Sequence, residues 1–110
     1  MHHTDGPAYS DTVAIVSLNE TALFSFKRNL SSEEIGIVKD EALVSLVLRP
    51  RSLLVFSSWL YSHALHGIAT GSVQIIEDTC CNAAQTGVEV GHALVKTKPR
   101  TSITIRRKLY

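Results

Sequence analysis

The chain has 110 residues, of which 45% are hydrophobic and 19% are charged, and its formal net charge at pH 7 is +1. This length and composition predict one globular domain and exclude a disordered tail, a collagen-like repeat and a coiled coil. A charge this close to zero gives no sign of a basic field over the whole molecule of the kind that attracts nucleic acid.

Short apolar runs separated by turn residues fill the first half of the chain. Residues 12–18 (TVAIVSL) and 22–27 (ALFSFK) are predicted strands, and the turn candidate at residues 19–20 predicts that they form a hairpin. Residues 29–40 are predicted to form a polar loop, although the sequence SSEE at residues 31–34 could cap a helical turn. Residues 42–48 and 52–56 are two further predicted strands, separated by Pro50, which cannot donate to a sheet ladder.

The second half continues this pattern with one ambiguous segment. The apolar spacing of residues 59–68 also fits a short helix, but the flanking strands and Gly67 favour an extended or turning segment. Residues 72–76 and 100–108 are predicted strands, and residues 77–91 are predicted to form a polar loop. Six or seven short strands without a long helix predict an all-β fold: a sandwich, a barrel or a jelly roll.

Neither a membrane span nor a secretory signal is predicted. The most apolar stretch, residues 43–59, is interrupted by two arginines and a proline, and the first seven residues contain no apolar segment. The two cysteines, Cys80 and Cys81, are adjacent, which fits a reducing compartment better than a disulfide framework. We therefore expect an intracellular protein, in the cytoplasm and nucleus, with no membrane partner.

Three polar residues form a candidate metal-ligand set. In an extended chain the side chains of His3 and Asp5 project to the same face, at a spacing that suits one metal ion. His66 is the third candidate. Two histidines and one carboxylate form a facial triad, which leaves open positions on Fe(II) for a bidentate co-substrate and O₂.

The last predicted strand contains a second polar pattern. Its two faces differ, with Arg100, Ser102, Thr104 and Arg106 on one and Thr101, Ile103 and Ile105 on the other. Because arginine binds carboxylates through a two-pronged hydrogen-bonded fork, the first face is a candidate cradle for a dicarboxylate. A charged strand at a solvated sheet edge is the alternative interpretation of this row.

Four stretches, in this order, resemble the AlkB-type Fe(II)/2-oxoglutarate-dependent dioxygenases. They are HTDGPAY at residues 3–9, RPRSLLV at 49–55, LHGI at 65–68 and RTSITIRR at 100–107. The resemblance runs along the whole chain. It implies a double-stranded β-helix, a jelly-roll variant, with Fe(II) as cofactor, 2-oxoglutarate and O₂ as co-substrates, and oxidative demethylation of alkylated DNA, RNA or protein.

The resemblance also implies a role for each candidate residue. The iron ligands are His3, Asp5 and His66, and the 2-oxoglutarate residues are Arg100 and Ser102 at the distal carboxylate and Arg106 near the C1 carboxylate. In the family, further strands and a substrate lid precede the first metal ligand. We therefore expect residues 1–110 to be the C-terminal portion of one dioxygenase domain, with the jelly roll incomplete at its N-terminus and the first ligands on a frayed segment.

Two other functions remain open at this stage. The chain could be an inactive jelly-roll module that binds a partner, or a cupin-like metal protein that does not use 2-oxoglutarate. Among the other candidate residues, His63 could pair with His66 in a zinc site, although further ligands are lacking. Cys80 and Cys81 are interpreted as incidental thiols, and Trp59 as a residue that packs in the core or a loop rather than one that stacks on a base.

Overall fold

The computed structural model describes residues 2–31, 33–37, 42–68 and 71–109, and strands dominate them. The elements in chain order are β1 (Tyr9–Ser17), β2 (Ala22–Arg28), β3 (Ala42–Leu48), β4 (Leu53–Ser57), α1 (Trp59–His63), β5 (Ala64–Ile68), β6 (Val73–Ile75), α2 (Ala83–Thr86), β7 (Ala93–Val95) and β8 (Ser102–Lys108). The predicted all-β class is confirmed. No helix in this described part is long and apolar enough to cross a membrane.

Within the described residues the strands form two three-stranded sheets and a two-stranded ribbon. The strand orders are β4–β1–β8, β3–β2–β5 and β6–β7, and every pair is antiparallel. The chain leaves the first sheet after β1, returns to it for β4, and returns again for β8. Two antiparallel sheets connected by such crossings are consistent with the predicted jelly roll.

The predicted hairpin of residues 12–18 and 22–27 is wrong. β1 pairs with β4 and β8 whereas β2 pairs with β3 and β5, so the turn between them crosses from one sheet to the other. Each strand has an apolar face. Because the two strands lie in opposite sheets, these faces meet, and Val13 of β1 and Phe24 of β2 pack in one core. The Asn19 side chain, whose oxygen accepts a hydrogen bond from the Thr101 N–H (2.8 Å), ties this turn to the start of β8 instead.

A core that contains four aromatic rings joins the two sheets. Its buried members are Val13, Ile15, Phe24, Phe26, Leu48, Phe56, Tyr61 and Ala64. The Phe26 ring is central: it is 1% exposed and meets the rings of Phe24 and Phe56 edge-on, at centroid distances of 5.4 and 5.1 Å. The His66 imidazole lies 4.9 Å from the Phe56 ring, so this core also supports one side of the candidate metal cluster.

The ambiguous segment, residues 59–68, divides into a single helical turn and a strand. Residues 64–68 are extended, as predicted, but residues 59–63 form α1. The helical turn buries Tyr61 in the core, while Trp59 and His63, four residues apart, stack on its exposed side with ring centroids 5.9 Å apart. Trp59 was expected to pack in the core or a loop. It is 54% exposed, so it does not pack in the core, and its ring lies against His63 instead.

Two short elements, α2 and β7, were not predicted from the sequence, and one predicted loop lies only partly within the described residues. The predicted loop at residues 77–91 contains α2, whose four residues are too few to show a helical period, and β7 was not predicted. In the predicted loop at residues 29–40, residues 29–31 and 33–37 contain turns and no helix. Ser32 and residues 38–40 lie outside the described residues.

The loop that carries α2 covers the outer edge of β3. The Asn82 side chain accepts a hydrogen bond from the Val47 N–H (2.8 Å) and donates one to the Val47 carbonyl oxygen (2.9 Å). One amide side chain thus takes the place of a neighbouring strand at a buried position of β3, since Val47 is 2% exposed.

Candidate metal centre

His3 and His66 lie directly opposite each other on neighbouring backbone segments. The N–H of each donates to the carbonyl oxygen of the other, both at 2.9 Å. His3 thus forms a hydrogen-bonded pair with His66 of β5. Residues in such a pair point to the same face, and the two imidazole centroids are 4.6 Å apart. The segment expected to be frayed is therefore paired with β5 at His3.

Asp5 places its carboxylate between the two imidazoles. Its Oδ1 is 3.3 Å from Nε2 of His3, and its Oδ2 is 3.7 Å from Nε2 of His66. One ligand atom from each of the three residues lies within 4.8 Å of the others, which is the spacing of a set that shares one metal ion. The structure thus brings together the three residues that the sequence singled out.

The chemistry of this cluster fits a divalent cation. The Asp5 side chain is only 2% exposed, and its Oδ2 has no hydrogen-bond partner among the described residues. A buried carboxylate oxygen that accepts no hydrogen bond is costly, and a metal cation would coordinate it. Burial lowers the pKa of His66 and outweighs the nearby Asp5 carboxylate, which raises it; this favours the neutral imidazole, the form that binds a metal.

Arg106 lies at the side of the cluster. Its Nε is 3.4 Å from Asp5 Oδ2, and its guanidinium carbon is 5.4 Å from the centroid of the Tyr9 ring. The first contact places a fixed positive charge beside the carboxylate, and the second holds the guanidinium against an aromatic face. The family resemblance implies that Arg106 lies near a co-substrate carboxylate, and the structure places it next to the metal-ligand set.

The polar row of β8 faces the same side of its sheet as the buried residues of β1. In the strand register Ser102, Thr104 and Arg106 lie opposite Ser17, Ile15 and Val13. Residues that face each other across a strand pair point to one side, so the alternation predicted from the sequence is present. All of β8 is exposed, and this row therefore forms an open surface beside the core.

Arg100 precedes β8, and its guanidinium reaches back to β1. Its Nη2 donates to Ser17 Oγ (2.8 Å), and its Nε is buried with no hydrogen-bond partner in the described part of the chain. Burial lowers the pKa of Arg100 from its ordinary value. A guanidinium held by one hydroxyl and left with an unused donor is suited to an anionic oxygen, such as a ligand carboxylate.

Two residues that contact the site were not predicted from the sequence. Ser17 is 0% exposed and occupies an inward position of β1, as Val13 does. The sequence signal for it was a hydroxyl residue at the end of the alternating apolar positions of β1. The Tyr61 hydroxyl donates to the carbonyl oxygen of Gly6, the residue after Asp5. Burial, followed by the nearby Asp5 charge, raises the pKa of Tyr61. No sequence signal pointed to that contact.

The other sequence candidates lie outside the cluster. His63 stacks on Trp59, and the cluster found among the described residues does not include it, so the sequence hypothesis of a His63–His66 zinc pair gains no support. Cys80 is buried in a second small core with Val47 and Ile76, and Cys81 is exposed; both are free thiols.

The sequence is similar to that of a curated protein. No family model matches the chain. A curated protein of Danio rerio, described as "Probable RNA/DNA demethylase ALKBH6", is 31% identical over 109 residues, which are 96% of this chain and 46% of that protein. The chain thus spans about half the length of the curated relative that it matches.

Proposed function

We propose that this chain, which is similar over almost its whole length to a probable demethylase of the AlkB type, is the metal- and co-substrate-binding part of an Fe(II)- and 2-oxoglutarate-dependent dioxygenase. The proposed reaction is oxidative demethylation of alkylated nucleic acid, with alkylated protein as the other substrate class. The observation that carries the proposal is the buried Asp5 carboxylate between two imidazoles, with an unsatisfied oxygen and an arginine-containing row beside it.

In this proposal His3, Asp5 and His66 hold the iron. Bound Fe(II) would supply the coupled oxidation of 2-oxoglutarate and of a substrate C–H bond, after which an N-methyl group leaves as formaldehyde. A ligand set of two histidines and one carboxylate suits this chemistry because it leaves metal positions open for 2-oxoglutarate and O₂. The Phe56 ring packs against His66 and restricts its imidazole orientation.

The arginine row orients the co-substrate. Arg100 and Ser102 bind the distal carboxylate of 2-oxoglutarate, and Arg106 lies toward the C1 carboxylate. The unused Nε donor of Arg100 supports the first assignment, because a carboxylate would satisfy it. The 3.4 Å contact of Arg106 with Asp5 supports the second, because it puts the guanidinium beside the metal-ligand set.

The proposal is tested by binding and turnover under anaerobic loading. The 110-residue chain is loaded with Fe(II), 2-oxoglutarate binding is measured by calorimetry, and succinate release is measured after O₂ is admitted. Arg100→Ala should weaken 2-oxoglutarate binding at least tenfold, because a charge-assisted hydrogen bond contributes about 1.5–3 kcal/mol. Metal binding should stay unchanged.

Arg107→Ala is the matched control, since it removes the same charge from the other face of β8. It should leave 2-oxoglutarate binding within about twofold of the unmodified chain, because an exposed charge there contributes little. An unmodified chain that binds neither metal nor 2-oxoglutarate would refute the dioxygenase proposal. Metal binding without 2-oxoglutarate binding would favour the cupin-like alternative, and equal losses in both variants would show only a general charge effect.

A further inference from the structure

Tyr61 connects the two parts of the chain that supply the cluster. It lies in α1, is 5% exposed, and stands five positions before His66. Its hydroxyl donates to the carbonyl oxygen of Gly6, which directly follows Asp5, across a sequence separation of 55 residues. One hydrogen bond therefore links the segment that leads into His66 with the turn that carries the Asp5 carboxylate.

The segment after Asp5 is irregular and needs external support. Gly6 has a φ of 85°, in the left-handed region where a side chain is disfavoured, so the backbone turns sharply there. The backbone hydrogen bonds described around this turn lie on either side of it, between His3 and His66 and between Ala8 and Leu109. The Tyr61 hydroxyl holds the intervening peptide, at the residue next to the carboxylate.

We propose that Tyr61 is a positioning residue for the metal centre: by holding the Gly6 carbonyl, its hydroxyl fixes the turn that aims Asp5 between His3 and His66. The inference rests on the proposed function and adds to it a residue that does not touch the metal. A ligand that is already ordered loses less conformational freedom when it binds, so the hydrogen bond raises metal affinity. Without it, the Asp5–Gly6 turn would have to be ordered by the metal itself.

The neighbouring groups support this role. The Asp5 side chain is 2% exposed and the His66 side chain 5%, so both are held by the protein groups around them rather than by solvent. The Tyr61 ring belongs to the same core as Phe56, which packs against His66. The hydroxyl is therefore presented from a rigid surface, and a change in it alters the Asp5 side of the cluster while the His66 side keeps its packing.

Cobalt(II) titration of Tyr61→Phe tests the proposal. This change removes one hydroxyl and keeps the buried ring. We expect the Co(II) dissociation constant, measured by calorimetry, to rise about 10- to 100-fold, as for other groups that orient a metal ligand from outside the ligand set. The visible absorption of bound Co(II) should also change, because the carboxylate is no longer held in one orientation.

Two further variants make the result specific. Tyr61→4-aminophenylalanine restores a hydrogen-bond donor at the same place and should restore Co(II) affinity to within about threefold of the unmodified chain, since only the donor is needed. Thr86→Val removes a hydrogen-bonding hydroxyl from α2, away from the cluster, and should leave both affinity and spectrum unchanged.

Each outcome distinguishes this inference from the proposed function. If the unmodified chain binds no Co(II), both fail. If it binds Co(II) and Tyr61→Phe binds it equally well with the same spectrum, the positioning role fails and the proposed function stands. If Tyr61→Phe does not fold while the aminophenylalanine variant folds and binds normally, the hydroxyl acts in folding and the inference is overturned. If the aminophenylalanine variant does not regain affinity, the hydrogen bond is not the cause and the inference also fails.

Discussion

The clearest quantitative prediction concerns Asp5→Asn, which keeps the shape of the side chain and removes its charge. In the metal-free protein the carboxylate is nearly fully buried, and Oδ2 has no hydrogen-bond partner among the described residues. In the metal-bound protein the same carboxylate is a proposed ligand. We therefore expect the change to affect stability in opposite directions in the two states.

The magnitudes follow from the surroundings of Asp5. An unsatisfied buried polar atom costs about 1–3 kcal/mol. The Arg106 contact, at 3.4 Å to a side chain that is 32% exposed, offsets about 0.5–1 kcal/mol of this cost. Because an amide is cheaper to bury than a carboxylate, the free energy of unfolding of metal-free Asp5→Asn should rise by about 1 kcal/mol. With free metal at about a hundred times its dissociation constant, metal binding raises the free energy of unfolding of the unmodified chain by about 2.7 kcal/mol. The variant, which lacks the ligand, should not be stabilised.

The order of stability should therefore reverse when metal is added. The assay is urea unfolding followed by circular dichroism, with EDTA in one series and Co(II) in the other. Asp11→Asn is the control, because Asp11 is exposed on β1. The same substitution there should leave the free energy of unfolding unchanged both with EDTA and with Co(II). Equal stabilisation of Asp5→Asn and the unmodified chain by Co(II) would show that Asp5 is not a ligand. A metal-free variant less stable by more than about 1 kcal/mol would show that the buried carboxylate contributes to folding.

Two predictions concern the fold itself. Phe26→Ala should lower the free energy of unfolding by about 3–5 kcal/mol, because a ring that is 1% exposed leaves a cavity between the sheets; urea unfolding measures it, and a loss under about 1 kcal/mol would contradict the assigned core. Asn82→Ala should cost about 1–3 kcal/mol, because both backbone groups of Val47 lose their partner. Hydrogen exchange at the Val47 amide should accelerate, and unchanged protection there would be inconsistent with the Asn82 contact.

The three proposed metal ligands are held in place in two different ways. His3 and His66 are held by the backbone, as an opposed pair with two hydrogen bonds. Asp5, by contrast, lies in an irregular segment whose next peptide is held by the Tyr61 side chain. The histidine positions thus follow from backbone pairing. The carboxylate position depends instead on side chains, namely the Tyr61 hydroxyl on the next peptide and the Arg106 guanidinium beside the carboxylate.

Local patterns in the sequence determined much of the fold and the identity of the site residues. The alternation of residues 102–106 correctly separated the two faces of β8, since side chains of a strand alternate whatever its partners are. For the same reason, the two-residue spacing of His3 and Asp5 correctly predicted that the imidazole and the carboxylate project to the same face of the chain. Apolar runs located β1 to β4, β6 and β8 to within a few residues, and turn residues located the breaks between them. β5 lay within the segment that the sequence left ambiguous.

The tertiary structure alone decided which segments meet. The sequence favoured pairing of β1 with β2, because neighbouring strands with a short turn usually pair; burial of two apolar faces against each other placed them in opposite sheets. The same long-range pairing set His66 opposite His3, brought Ser17 to Arg100 and put Tyr61 beside Gly6. Alternation and turn propensity act over a few residues. These contacts join segments far apart in the chain, so only the packing of the two sheets specifies them.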